Sequence, residues 1–346
     1  MPLTMRPYSA NVYALSKVWF KCCCINLRSQ DIIFINKQVK SWLYQDCLEK
    51  PSELVLYRDS KDGGLGLFHV HIRSLALLIR AFLETSVNPS FRHSLFHEAL
   101  YRFHVLDDIS VPDPGLTPYY DNTFFNIIKH YKNNSSMNTA VLSTRQWYRL
   151  LLEDRVLMSQ EDGNSVPTLL PIRPELLHHN SDWPNIWARS KTKGLGSDLS
   201  SFLFRLLHQL LPTQERVQRI MGNRGQEPAG LCLLCRQERE DLQHAFFFCQ
   251  ESAGVGLALL GYVQHVVSTI TPEECLRLEI GDDLGEEDQL AVVCLLASGL
   301  KYIWETRAEK KVLSLHKMRA EIEAGVFLLR KTRYAVSGDK MNEMIN

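Results

Sequence analysis

Cys232, Cys235, His244 and Cys249 follow one another as C-x2-C-x8-H-x4-C within eighteen residues, and no other feature restricts the folding of this chain so tightly. Four sulfur and nitrogen donors at this spacing suit zinc, which takes four such ligands in a tetrahedron at structural sites; a C-x2-C turn delivers two thiolates to one side of the ion. With four protein ligands no coordination position is left for a substrate, so the pattern implies a structural ion rather than a Lewis acid. The alternative is three ordinary buried thiols beside a hydrogen-bonded histidine. Pro228, Ala229 and Gly230 lead into the cluster, and Arg236 to Asp241 return from it with turn and helix-starting residues. A unit this small gains most of its order from the metal. The spacing also sets a geometric condition. Five residues on an ideal α-helix rotate by about 140° past a full turn. His244, on a helix opened by Glu240 and Asp241, therefore shares an ion with Cys249 only if that helix ends just before Cys249.

The charges of the chain, 39 basic and 39 acidic, cancel, but in blocks. Residues 1–50 carry seven basic and three acidic groups, 186–250 nine and six, and 300–346 ten and six, whereas 251–299 carry one and nine. Local basic patches are therefore compatible with a polyanionic partner despite overall neutrality. Arg216, Arg219, Arg224, Arg236 and Arg239 bracket the cysteine cluster and could follow a phosphate backbone; they would serve equally as a solvated face. Phe246, Phe247 and Phe248 are expected to pack the ligand helix onto its neighbours, with stacking on bases as the lesser reading.

Met1 to Phe20 is interrupted by Pro2, Arg6, Pro7, Asn11 and Lys17 before any signal-like apolar run develops, which points to an intracellular, reducing compartment. The uncharged stretch from Ser252 to Pro272 is too broken to span a bilayer and reads as a buried helix. Nine cysteines, an odd number, fit thiols and metal better than a disulfide framework.

Helical periodicity dominates, so the fold class is mainly α. Val12, Leu15, Val18 and Trp19 form one apolar set, and Ile33, Ile35, Val39, Trp42 and Leu43 another. A short alternating run, Leu54, Leu56 and Tyr57, precedes the glycines of Gly63 to Leu67. A long helix then runs through Ile72, Leu75, Leu78, Ile79 and Phe82 until Asn88 and Pro89 stop it. Further helices are expected over 89–106 and twice within 119–160, the last with Trp147, Leu150, Leu151 and Val156 on one face; Val111 to Gly115 is loop. Prolines between Ser159 and Pro184 mark a linker. Ser197 and Asp198 sit where an N-cap belongs for a helix over Leu199 to Leu211, and Thr213 can cap another reaching Met221. The chain closes with an antiparallel pair of helices, Glu286 to Lys310 and Leu315 to Thr332. The resulting divisions are 1–158, a linker 159–185, a zinc segment 186–252 and a C-terminal helical region 253–346.

Catalytic signals are missing where they would be expected. Gly63 to Leu67 lacks the Gly-Lys-Ser/Thr ending of a phosphate loop, no G-x-S-x-G occurs, and Asp107-Asp108 and Asp282-Asp283 have no third carboxylate at a recognisable distance. Cys22, Cys23 and Cys24 point in different directions on a helix and form no chelate. Arg330, Lys331 and Arg333 read as a helix end complementing its dipole.

Two motif sets carry a resemblance. Lys40-Ser-Trp-Leu-Tyr44, Glu53-Leu-Val-Leu-Tyr-Arg58, Gly63-Gly-Leu-Gly-Leu67 and Ala76 to Thr85 resemble the segment after the polymerase core in reverse transcriptases of LINE-type, non-LTR retrotransposons. Ser201-Phe-Leu-Phe-Arg-Leu-Leu-His-Gln-Leu-Leu-Pro-Thr213, with the cysteine cluster behind it, is similar to their zinc-binding domain. The resemblance implies a C-terminal part of such a polyprotein: a thumb-like helical region at 1–158, a linker, and a zinc knuckle that helps hold RNA or DNA during target-primed reverse transcription. It implies partners in nucleic acid and a retroelement polymerase, with no membrane and no small-molecule substrate. The family's F/Y-x-D-D polymerase motif is not matched, since Val105-Leu-Asp-Asp108 has the wrong first residue, so a catalytic role of its own is not expected.

Overall fold

A computed structural model of the chain describes residues 1–22, 27–45, 51, 53–87, 127, 130–131, 142–153, 182–221, 230–281, 283–331 and 334–345. Several expectations lie outside these residues: the 89–106 helix, most of the first of the two helices within 119–160, Val111 to Gly115, Asp107-Asp108, Asp282, Val156, Cys23 and Cys24, Arg224, Arg333, the 222–229 connector and the linker up to residue 181. The described residues are mainly helical, with a single isolated β-bridge between Leu231 and Arg239. The chain divides into two compact units, one of residues 6–45 and 66–170, the other of 1–5, 46–65 and 171–346.

In the first unit, α1 (Ser16–Cys22), α2 (Ser29–Leu43), α3 (Val70–Val87) and α4 (Thr144–Glu153) are the principal elements. Ile72, Leu75, Leu78 and Ile79 of α3 pack with Trp147 and Leu151 of α4 in one apolar cluster. The α3 helix thus follows the expected periodicity and spans Val70–Val87. The N-terminal sets behave differently. Leu15, Trp19, Val39 and Leu43 are buried, but Val12, Ile33 and Trp42 are exposed. Buried positions on α2 recur only at i and i+4, a narrower stripe than the sequence suggests. The Asn11 side chain replaces some of that packing, donating to Gly66 O at 2.8 Å and accepting from Phe68 N–H at 3.1 Å.

The second unit is built around α5 (Trp183–Ser190), α6 (Gly196–Leu207), α7 (Gln214–Met221), α8 (Ala253–Gln264), α9 (Pro272–Arg277), α10 (Glu286–Ala308), α11 (Leu315–Arg330) and α12 (Ala335–Ile345). One apolar core runs from Ile186 to Ile345, so the zinc segment and the C-terminal helices share it across residue 252. α10 is its axis: every residue from Leu290 to Leu300 is buried. α10 and α11 are antiparallel, because Tyr302 lies beside Ser314 while Ser298 lies beside Gly325. α12, absent from the sequence reading, packs on both. The uncharged stretch forms α8 as expected, and among the described residues no helix is long and apolar enough to cross a membrane.

Three local expectations need correcting. The alternating run at 54–57 forms a helical turn, Glu53–Tyr57, in which Val55, Leu56 and Tyr57 are all buried. α6 starts at Gly196 and stops at Leu207 rather than Leu211, because Gln209 takes a left-handed φ of 51°. Ser197 and Asp198 consequently lie inside its first turn instead of capping it. The glycine cluster is the expected turn: Gly63 has φ 81°, and a Cβ there would collide with the Trp187 indole.

Candidate metal centre

Gly230 opens a small hairpin. Its carbonyl accepts from Glu240 N–H at 2.9 Å, Leu231 bridges Arg239, and Cys232 N–H donates to Glu238 O at 2.8 Å. The hairpin tip is the C-x2-C turn, closed by Arg236 N–H on Cys232 O at 3.1 Å, with Arg236 in the left-handed region at φ 56°. Asp241 then caps the next element by accepting from His244 N–H at 2.7 Å.

That element is a π-turn, His244–Phe248, and it ends at Cys249, whose φ of −67° and ψ of 131° are extended. The expected break before Cys249 is therefore present, and the wider turn adds a reason for it. In an i→i+5 turn the N–H of one residue bonds back to the carbonyl five residues earlier, here Cys249 N–H to His244 O at 2.8 Å. This brings residue 249 over residue 244 and cancels the α-helical offset. Gly256 permits the close approach of α8 to this turn, since a Cβ there would strike Phe246 O. Ser252, fully buried, adds a hydrogen bond to Ala245 O at 2.9 Å.

The four donor atoms of Cys232, Cys235, His244 and Cys249 all lie within 4.8 Å of one another. Cys232 Sγ and Cys249 Sγ are 3.7 Å apart, and Cys235 Sγ is 3.4 Å from His244 Nε2. Zinc–sulfur bonds of about 2.3 Å and zinc–nitrogen bonds of about 2.0–2.1 Å place donors about 3.8 Å and 3.6 Å apart along tetrahedral edges. The cluster fits structural zinc in both donor chemistry and size.

Its electrostatics fit as well. Burial pushes the Cys232 thiol up to about 12, with the Glu240 carboxylate adding to the rise. Burial also works against the Cys235 thiolate, but the amides of Gln237 and Glu238 and the side chains of His244 and Cys249 bring that thiol down to about 7. Three thiolates this close need a cation to coexist, and a divalent ion supplies it. Cys275 and Cys294, buried elsewhere in the core, are held near 12 by burial and have no such neighbours. They are structural thiols.

Two carboxylates escaped the sequence reading. Glu238 Oε2 lies 3.0 Å from His244 Nδ1, so the imidazole donates from Nδ1 and turns the Nε2 lone pair toward the sulfurs. Glu240 opens no helix. It is fully buried and pairs with Arg307 of α10, itself 1% exposed, through Nε–Oε2 at 2.9 Å and a second bond from Nη2 to Oε1. The same carboxylate accepts from Gln214 N–H at 2.8 Å and Leu233 N–H at 3.0 Å. Burial opposes its charge, but Arg307 and these amides outweigh burial and hold the carboxyl below its usual range. Arg307 in turn lies 4.2 Å from the Trp304 ring, which packs against Phe246. Nothing local marks this pair in the sequence, because its members are 67 residues apart.

Phe246 and Phe247 are buried as expected, whereas Phe248 is 57% exposed because the π-turn swings its last residue outward. Arg236 and Arg239 are exposed on the hairpin. Arg216 and Arg219 lie on α7, capped by Thr213 as expected and packed beside Gly230. Arg216 is half-buried, and Arg219 is exposed and paired with Glu215 at 3.0 Å.

Residues 172–255 match the protein family described as zinc-binding in reverse transcriptase. The chain matches no curated protein. The matched stretch contains all four metal-site residues and α5 to α7, and it ends in the first turn of α8.

Proposed function

We propose that the chain is a retroelement-derived part of a LINE-type reverse transcriptase, in which the zinc centre shapes a lobe that grips RNA or DNA during target-primed reverse transcription. The observation that carries this reading is the pairing of a reverse-transcriptase zinc family match with a four-donor site whose hairpin displays Arg236 and Arg239 to solvent. Arginine forks suit phosphate oxygens, and Arg216 and Arg219 on the adjoining helix extend the same charge. Arg224 belongs to the same set by sequence. The contribution is binding, in support of a polymerase that carries the catalytic metals, inside the cell.

Titration of labelled RNA and duplex DNA across a salt series tests this. Affinity should fall linearly on a log–log plot, and each arginine replaced should reduce the slope by about 0.7–0.9. No measurable binding near 50 mM salt, or binding indifferent to salt, would count against it.

A second reading, a zinc-stabilised scaffold for protein partners, draws on a different feature. A groove of about 610 Å³ is lined by residues of α6, α10, α11 and the loop between the last two, including Lys301, Tyr302, Val312 and Leu328. Of its lining residues, Val312 and Leu328 are exposed apolar side chains. The acidic block 251–299 would also repel phosphate. Partner capture that survives nuclease treatment and is lost on Leu328→Asp would favour the scaffold.

A further inference from the structure

Among the described residues seven aromatic rings are exposed, and five of them, Tyr8, Tyr13, Phe20, Phe34 and Trp42, fall within residues 6–45. The same stretch carries six basic groups against one carboxylate, Asp31, which is engaged by Arg28 at 3.0 Å. Helical spacing sorts these residues. Leu15, Trp19 and Cys22 face inward, while Lys17, Phe20 and Lys21, at i, i+3 and i+4 of α1, share the outward face; Tyr13 is exposed on the π-helical turn Ala10–Ala14 just before it. On α2, Val39 and Leu43 face inward, and Phe34 and Lys37 lie outward. Both helices lean on α3 with their inner faces, which leaves the outer ones to solvent. Phe20 is 83% exposed, Tyr13 71% and Phe34 63%.

A single exposed ring is ordinary, but a gathering of exposed rings on one short stretch marks an interaction surface. Lysine is depleted from the centres of protein–protein interfaces, yet here lysines sit among the rings rather than around them. Rings that stack on bases, spaced by cations that meet the phosphates between them, are what a single-stranded nucleic acid requires.

We propose that the outward sides of α1 and α2, with Lys17, Phe20, Lys21, Phe34 and Lys37, and the exposed Tyr13 of the turn before α1 bind single-stranded nucleic acid by base stacking. This surface lies in the first unit and does not rest on the arginines of the zinc lobe. The probe is a fluorescein-labelled 20-nucleotide oligouridylate, with duplex DNA of equal length as comparison and the full chain as protein. Tyr13→Leu/Phe20→Leu/Phe34→Leu keeps apolar area but removes the rings, and should weaken oligouridylate binding at least tenfold while changing duplex binding less than threefold. Lys17→Gln/Lys21→Gln/Lys37→Gln should lower the salt slope for oligouridylate by about 2. All six side chains are outward, so both variants should keep wild-type far-UV circular dichroism and zinc content. Unchanged oligouridylate affinity in the leucine variant overturns the proposal, as does an equal loss for duplex. Sedimentation showing that these residues instead join two copies of the chain, with nucleic-acid affinity unaltered, overturns it too.

Discussion

The hairpin of residues 230–241 and the helices α10 to α12 belong to one compact unit but are held by different forces. Along α10 the apolar side chains from Leu290 to Leu300 disappear into the core, and burial at roughly 25 cal/mol per Å² is enough to order them. The hairpin has one β-bridge, an exposed edge from Arg236 to Arg239, and only Cys232 and Glu240 fully inside. Its three leucines, Leu231, Leu233 and Leu234, are only partly buried. Its order therefore leans on the four donor atoms and on the buried ion pair of Glu240 with Arg307, which fastens it to α10. Perturbations should therefore separate the two regions by the kind of force removed.

Metal removal should have the largest effect. Structural zinc in small units contributes about 10–16 kcal/mol of apparent binding energy. Chelation, or Cys235→Ser, should abolish amide protection in 230–252 while α10 and α11 keep theirs in hydrogen exchange. Equal loss across both regions would erase the contrast.

Breaking the ion pair should come next. Arg307→Met leaves a buried carboxylate and should cost about 3–5 kcal/mol in urea unfolding. Glu240→Leu added to Arg307→Met should recover part of that loss, since an apolar pair needs no compensation. A double variant as unstable as the single one would show that the amides of Gln214 and Leu233 depend on the carboxylate more than Arg307 does.

pH offers an intermediate effect. Burial pushes His208 down to about 4, against the favourable Gly63 carbonyl at 2.8 Å. Its folded value lies below the unfolded one, near 6.5, so the unfolded chain binds the proton more readily between these values. Stability is full above pH 6.5 and declines on acidification, by about 2 kcal/mol between pH 7 and pH 5. Glu240, also depressed, adds a loss below the ordinary carboxylate range. His208→Phe should flatten the upper part of the curve only.

The smallest effect should come from Glu238→Gln. Loss of the carboxylate behind His244 should weaken zinc about 10–100-fold in a chelator competition, with little change in the helices. Unchanged affinity would mean that the ring is oriented by its burial alone.

What the sequence could disclose follows the same division. Ligand identity is local, so C-x2-C-x8-H-x4-C revealed the whole donor set and even the need for a break before Cys249. Long amphipathic helices were equally plain: α10 and α11 begin where expected and end two residues early. The π-turn was not legible, because it exists only once the ligands must converge. Glu240 and Arg307 were not legible because nothing local distinguishes a buried charge from a solvated one. α12 was missed because its buried face opens with Ser337 and Gly338, which carry no apolar signal, and only then reaches Met341, Met344 and Ile345. Val12, Ile33 and Trp42 look like core by periodicity and are exposed, because α1, the turn before it and α2 each bury only one narrow side.

The central claim is one zinc ion held by three sulfurs and one imidazole. X-ray absorption on the purified full chain, with metal content measured on the same sample, tests it most directly. One zinc per chain is expected, with three sulfurs at about 2.3 Å and one nitrogen at about 2.0–2.1 Å. A metal-free chain with an ordered 230–249 segment, or a first shell without the imidazole, would contradict it.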